Sequence, residues 1–196
     1  MTRPSSSVIA MRDRDVGCHV DPASPLPSTP EGWAELLVAT FNEVRDELVS
    51  TLWYMLGNQD DAQEMAQEVF LRCWRTQEQL PDVQNLRAWI FRVGLNAARD
   101  LQRSAWKRRV KPLLGAELMP PPQTAPAGEE LEHRETLQRL SEALLHLRPE
   151  EKEVFLLRQN GELTYEQIAE VANRPVGTVK TQMRAALAKL RKVLMS

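Results

Sequence analysis

Cysteine is nearly absent. Cys18 and Cys73 are the only two in the chain, too few for a disulfide framework, and they fit a reducing compartment. Cys18 and His19 are adjacent, but no second ligand pair stands at zinc spacing, so both read as incidental. Histidine is as sparse: His19, His133 and His146 are scattered, no Gly-rich phosphate loop occurs, and no nucleophile–base set can be assembled. No catalytic residue, metal ligand or cofactor is therefore expected. No apolar run approaches a membrane span or a signal-peptide core, so the expectation is a soluble, cytoplasmic protein without membrane insertion. A strong overall charge is missing too. The net charge is −2, which selects no partner.

What the chain does have is charge in blocks. Glu31 to Phe70 holds nine acids and one base, Arg45. Asn85 to Lys111 holds eight bases and one acid, Asp100. Glu129 to Glu170 turns acidic, and from Arg174 onward there are six bases and no acid. Two separate basic blocks point to two nucleic-acid contacts. The acidic blocks point to faces that avoid DNA or meet a basic protein.

Prolines and helical periodicity divide the chain. Residues 1–30 are rich in proline and serine without apolar periodicity and read as a disordered tail. From Trp33, the residues Leu36, Leu37, Thr40, Phe41, Val44, Leu48, Thr51, Leu52 and Met55 recur at helical steps, ending at Gly57. Asn58 or Asp60 can cap a second helix with a stripe of Ala62, Met65, Ala66, Val69, Phe70, Cys73 and Trp74. A loop at residues 80–85 precedes a third helix through Trp89, Ile90, Val93, Ala97 and Leu101. These helices make a first domain over residues 31–110. Residues 111–130 form a Pro-rich linker. The second domain, residues 131–196, holds four helices, one of them opening at Pro149-Glu150-Glu151. The fold class is all-α: two small helical domains, the C-terminal one a four-helix helix-turn-helix domain.

The last two helices are the most informative. Thr164 and Gln167 have capping-box spacing. Asn173-Arg174-Pro175 interrupts the helix they start, and a second periodic run follows at Val179, Met183, Ala186, Leu187, Leu190 and Leu194. Its other face shows Thr178, Lys180, Thr181 and Arg184. An ordinary helical hairpin has the same spacing, but a merely solvated helix mixes charge signs and this one has no acid. The pattern points to a reader of the DNA major groove.

The order of these blocks is itself a motif. DDAQEMAQEVFLRCWR, then NLRAWIFRVGLNAARDLQR, a linker, then LRPEEKEVFLLRQNGELTYEQIAEVANRPVGTVKTQM resembles the extracytoplasmic-function sigma factors of bacterial RNA polymerase over residues 33–110 and 131–194. The resemblance implies a subunit that binds core RNA polymerase and directs promoter-specific initiation. It implies that residues 31–110 are sigma region 2, reading the minus-ten element, and residues 131–196 sigma region 4, reading the minus-thirty-five element. It also implies an anti-sigma factor as a partner.

The resemblance assigns polymerase binding to Asp61, Glu64, Gln67, Glu68 and Leu71, an apolar spot in an acidic rim. It assigns the minus-ten element to Leu80, Asp82, Asn85, Arg87, Arg92, Asn96, Arg99, Arg103, Lys107, Arg108 and Arg109, with Asn96 reading a flipped base through its amide. Trp89 is expected in the core. Thr178, Lys180, Thr181 and Arg184 take the minus-thirty-five element. Family members often carry more arginines on this helix, where this chain has Ala185 and Ala188. A plain helix-turn-helix regulator is the alternative. It leaves the acidic helix and the first basic block without a role.

Overall fold

Each helix begins and ends where its local chemistry demands. The computed structural model describes residue 27, residues 29–108 and residues 139–194. The expected linker, Arg109 and most of the expected tail lie outside them. Helix α1, Pro30–Leu56, starts a turn earlier than periodicity suggests: Thr29 caps it by accepting from the Gly32 amide at 3.2 Å, and Pro30 takes the first turn, where its missing N–H costs nothing. Pro30 is thus helical rather than tail. Gly57 ends α1 with φ 75°, a left-handed conformation that glycine adopts without strain.

Asn58 caps α2, Gln59–Arg75, accepting from Asp60 N at 2.8 Å and Asp61 N at 3.2 Å. A 3-10 turn, Gln77–Asp82, leads to α3, Leu86–Arg108, which Asn85 caps through the Ala88 amide at 2.8 Å. The C-terminal unit has α4 at residues 139–145, α5 Pro149–Gln159, α6 Tyr165–Ala172 and α7 Val176–Leu194. No strand occurs among the described residues.

Helices α1, α2 and α3 pack Leu37, Phe41, Val44, Leu48, Leu52, Val69, Ile90, Phe91 and Leu95 into a core, with Trp89 also buried, as expected. Trp53, which periodicity does not single out, joins them. Cys73 is fully buried there, and burial pushes its thiol up to about 12, so it behaves as a small apolar residue. In the C-terminal unit, Val154, Leu157, Leu163, Ile168, Val179 and Met183 are buried, and Ala143 and Leu144 of α4, with Leu147 just after it, pack with Ala186 and Leu190 of α7. Glu151 ties α5 to α7 by accepting from Lys189 Nζ at 2.6 Å.

The two units also touch. Residues of both belong to one continuous apolar cluster, and Asn160 Nδ2 donates to Thr51 Oγ1 at 3.1 Å and to Ser50 Oγ at 3.3 Å. Separate periodic stripes do not announce this docking.

The turn after α5 is tight. A Cβ on Gly161 would stand 2.5 Å from the Leu157 carbonyl oxygen, whereas one on Gly177 meets nothing within 4 Å. Gly161→Ala should destabilise the protein by about 1–3 kcal/mol, the usual range for forced overpacking. Gly177→Ala should leave stability unchanged or raise it by up to about 1 kcal/mol, since alanine is the better helix former. Urea unfolding followed by circular dichroism compares the two.

Candidate nucleic-acid and protein interfaces

The face of α2 turned away from the core is acidic. Asp61, Glu64 and Gln67 are exposed, and Glu68 is half-buried, accepting from Arg72 Nε at 2.9 Å. Leu71 is 44% exposed and Trp74 is 39% exposed. Trp74 corrects the expected stripe. The buried line runs Ala62, Ala66, Val69, Cys73, and the residue after Cys73 is rotated about 100° away from it. Trp74 keeps one flank near the Phe70 ring, 6.0 Å between centroids. It lies three residues beyond Leu71, so the apolar spot within the acidic rim is two side chains wide.

The basic face of α3 divides in two. Arg92, Asn96 and Arg103 lie at helical spacing and are exposed, with Arg103 holding Asp100 at 2.7 Å. Arg87 and Arg99 turn toward the C-terminal unit. Arg87 donates from Nε to the Gly161 carbonyl at 2.7 Å and from Nη2 to the Asn160 carbonyl at 3.1 Å, and stands 3.7 Å from Glu162. Arg99 donates from Nε and Nη2 to the two carboxylate oxygens of Glu153, at 2.9 and 2.7 Å. That hydrogen bond, opposed by partial burial, pushes the Arg99 pKa up further. Glu153 also accepts from Arg174 Nη2 at 2.6 Å.

Leu80 needs correction as a DNA contact. It is fully buried, because the 3-10 turn folds it into the α1–α3 core, so it seats the loop and has no side-chain surface for a base. Asp82 is exposed, and the Asn85 side chain is engaged as the cap of α3. Lys107 and Arg108 fall in the last turn of α3, where only the backbone is described.

The C-terminal reader follows from its caps. Thr164 Oγ1 accepts from Gln167 N at 3.2 Å, and Gln167 Oε1 accepts from Thr164 N at 2.8 Å, the reciprocal capping box. Asn173 closes α6 in the left-handed region with φ 54°, and Pro175 leads directly into α7. Thr178, Lys180, Thr181 and Arg184 are all exposed on α7. Thr181 Oγ1 donates to the Gly177 carbonyl at 2.9 Å, and the Lys180 ammonium sits 5.8 Å from the Tyr165 ring centroid. Tyr165, not foreseen as part of this surface, also takes the Arg158 guanidinium at 5.5 Å. Leu187 departs from the expected stripe: it is 37% exposed, while Val179, Met183, Ala186 and Leu190 are buried.

This all-helical chain, with two basic faces and one acidic face, is similar to known proteins. Residues 40–108 match the model of sigma-70 region 2, and residues 137–190 that of sigma-70, region 4. The ferric citrate uptake sigma factor FecI of Escherichia coli is 32% identical over 142 residues, covering 71% of this chain and 80% of FecI. The chain is an extracytoplasmic-function sigma factor. It is accordingly a promoter-specificity subunit that works with core RNA polymerase and promoter DNA in transcription initiation. The ECF RNA polymerase sigma factor SigW of Bacillus subtilis is 28% identical over 165 residues, 76% of this chain and 84% of SigW. Among solved structures, the sigma factor RpoE in complex with the anti-sigma factor NepR from Bartonella quintana superposes with a TM-score of 0.69 at 18% identity. That match covers 84% of this sigma factor and 98% of RpoE. CnrH in complex with the cytosolic domain of CnrY gives 0.56 at 22% identity, covering 85% of this chain and 90% of CnrH. No described helix is long and apolar enough to cross a membrane.

The aim of α7 depends on Asn173. An ordinary L-residue in the left-handed region costs about 1–2 kcal/mol, a cost that asparagine lowers and glycine removes. Asn173→Ala should lower the melting temperature and weaken binding to duplex promoter DNA, while Asn173→Gly should match or exceed the parent in both. Thermal melts and fluorescence anisotropy with a duplex promoter fragment read the pair.

Proposed function

We propose that the three faces divide the work of initiation between them. The outward face of α2, with Asp61, Glu64, Gln67, Glu68 and Leu71, docks on core polymerase, and Trp74 widens its apolar centre. Residues Asp82, Arg87, Arg92, Asn96, Arg99, Arg103, Lys107, Arg108 and Arg109 meet the minus-ten element, with Asn85 shaping the loop as a helix cap. Asn96 hydrogen-bonds an unpaired base, and the cations follow phosphates. Thr178, Lys180, Thr181 and Arg184 contact the minus-thirty-five element. Residues 31–110 and 131–196 act as the two reading domains, joined by the linker at 111–130. The observation that carries this reading is the one outward face of α7 on which all four polar residues stand exposed and no acid intervenes.

The protein acts where polymerase and chromosome meet, in the cytoplasm, and catalyses nothing itself. The RpoE and CnrH structures are complexes with NepR and CnrY. By that likeness, an anti-sigma factor controls this sigma factor. A regulator working without polymerase leaves the acidic rim around Leu71 and Trp74 unused.

Leu71→Asp should reduce affinity for core polymerase by about 2 kcal/mol or more, the usual loss at a central anchor, with the fold intact because the side chain points outward. Pull-down with purified core, alongside circular dichroism, measures both. Arg184→Ala should cost about 1–3 kcal/mol on a matched upstream element if it reads a base edge. An equal loss on a scrambled upstream element reassigns Arg184 to the phosphate backbone.

A further inference from the structure

A cavity of about 610 Å³ lies between the first turns of α1 and the 3-10 turn, outside the acidic face of α2 and the basic faces of α3 and α7. Pro30, Trp33 and Pro81 line it with apolar surface, and Glu31, Gln77 and Glu78 line it with polar surface. Trp33 is half-buried: part of it packs on the core and the rest borders the cavity. The 3-10 turn is anchored from its other side, because Leu80 is fully buried. Backbone hydrogen bonds close the turn at its ends, from Gln79 to Thr76 at 3.0 Å and from Val83 to Leu80 at 2.9 Å. The chain arrives at α1 beside this cavity. A Cβ on Gly32 would stand 2.9 Å from Pro27 Cβ, so Pro27 lies directly on the first turn of α1. Ahead of Pro27 stands the uncharged run Pro22-Ala23-Ser24-Pro25-Leu26, which lies outside the described residues.

We propose that residues 22–26 are a strap that docks, as an extended proline segment, in the cavity between α1 and the 3-10 turn and so steadies the loop that leads to α3. Three arguments favour this occupant. Each proline fixes its own φ and keeps the residue before it extended, so the run prefers the polyproline conformation. Aromatic-lined grooves take such segments because little chain entropy is left to lose. At about 3.1 Å per residue, the run reaches roughly 15 Å from Pro27, enough to cross a cavity of this volume. A DNA strand is the poorer occupant, since Glu31 and Glu78 repel phosphates while the run brings no charge. With Leu80 held by the core, a strap on the cavity side clamps the turn from both flanks and fixes where Asp82 stands. That consequence for promoter opening rests on the assignment of Asp82 to the minus-ten element.

The test uses the full chain with carbon-13 leucine methyl groups, the Leu26 signal being assigned by its loss in Leu26→Ala. The parent should show a nuclear Overhauser contact between the Leu26 methyls and the Trp33 indole. The strap variant, Pro25→Asp with Leu26→Asp, alters no core residue and should match the parent by circular dichroism. In it, amide exchange at Gln79 and Val83 should quicken several-fold, while Val179 and Met183, buried on α7, exchange as in the parent. With core polymerase, permanganate reactivity across the minus-ten element should fall several-fold, with core affinity unchanged. Absence of the Leu26–Trp33 contact overturns the strap. A contact that grows with protein concentration gives the cavity to a second copy, and one displaced by oligothymidylate gives it to a nucleobase; either overturns the strap. Unchanged exchange at Gln79 and Val83 in the strap variant overturns the clamp on the turn. Quickened exchange with unchanged opening, where Asp82→Ala does impair opening, overturns the strap's part in initiation. If Asp82→Ala itself leaves opening unchanged, the minus-ten assignment falls and the docked strap stands.

Discussion

Glu153 is the group on which the assembled structure turns. Its carboxylate is nearly buried and is shared by Arg99 of α3 and Arg174 of the turn before α7. A buried carboxylate without partners is costly, and one partner leaves part of it unsatisfied. Two guanidinium groups satisfy it, so this one side chain relates α3, α5 and the helix-turn-helix. The surrounding contacts, Arg87 on the end of α5 and Asn160 on Ser50 and Thr51, follow the same logic, polar groups matched pairwise around a continuous apolar cluster.

This arrangement explains how opposite charges coexist in a nearly neutral chain. Asp61 and Glu64 on α2 face outward, while Glu68 is paired with Arg72. Two acids on α5 face inward, Glu153 against Arg99 of α3 and Arg174 of the turn, and Glu151 against Lys189 of α7. The recognition helix keeps Lys180 and Arg184 outward, ties Lys189 to Glu151, and sets its apolar residues against α4, α5 and α6. A sigma factor must hold two DNA-reading surfaces that would otherwise attract each other's neighbours. Here part of that attraction is used within the molecule, and the flat acidic face of α2 is left open.

Much of this was legible in the sequence, and the legible part is local. The Thr164–Gln167 capping box, the Gly57 and Asn173 helix ends and the Pro149 start depend on side chains within four residues of the backbone groups they satisfy. The stripes of α1 and α3 were legible because burial repeats with the helix. Errors came at stripe edges. Trp74 and Leu187 sit about 100° from the buried line, where apolar character does not decide between core and surface. Leu80 looked like an exposed loop residue because a 3-10 turn inside a loop has no periodic signal.

The sequence by itself determined the helices, their caps, the segregation of charge and, through the order of its motif blocks, the family. Those properties arise from neighbours a few residues apart. Only the tertiary structure decided which cations are free. Arg87, Arg92 and Arg99 are indistinguishable as a basic row in sequence. Their partners lie more than fifty residues away for Arg87 and Arg99, and pairing across that separation depends on how two apolar surfaces dock, which no local spacing encodes.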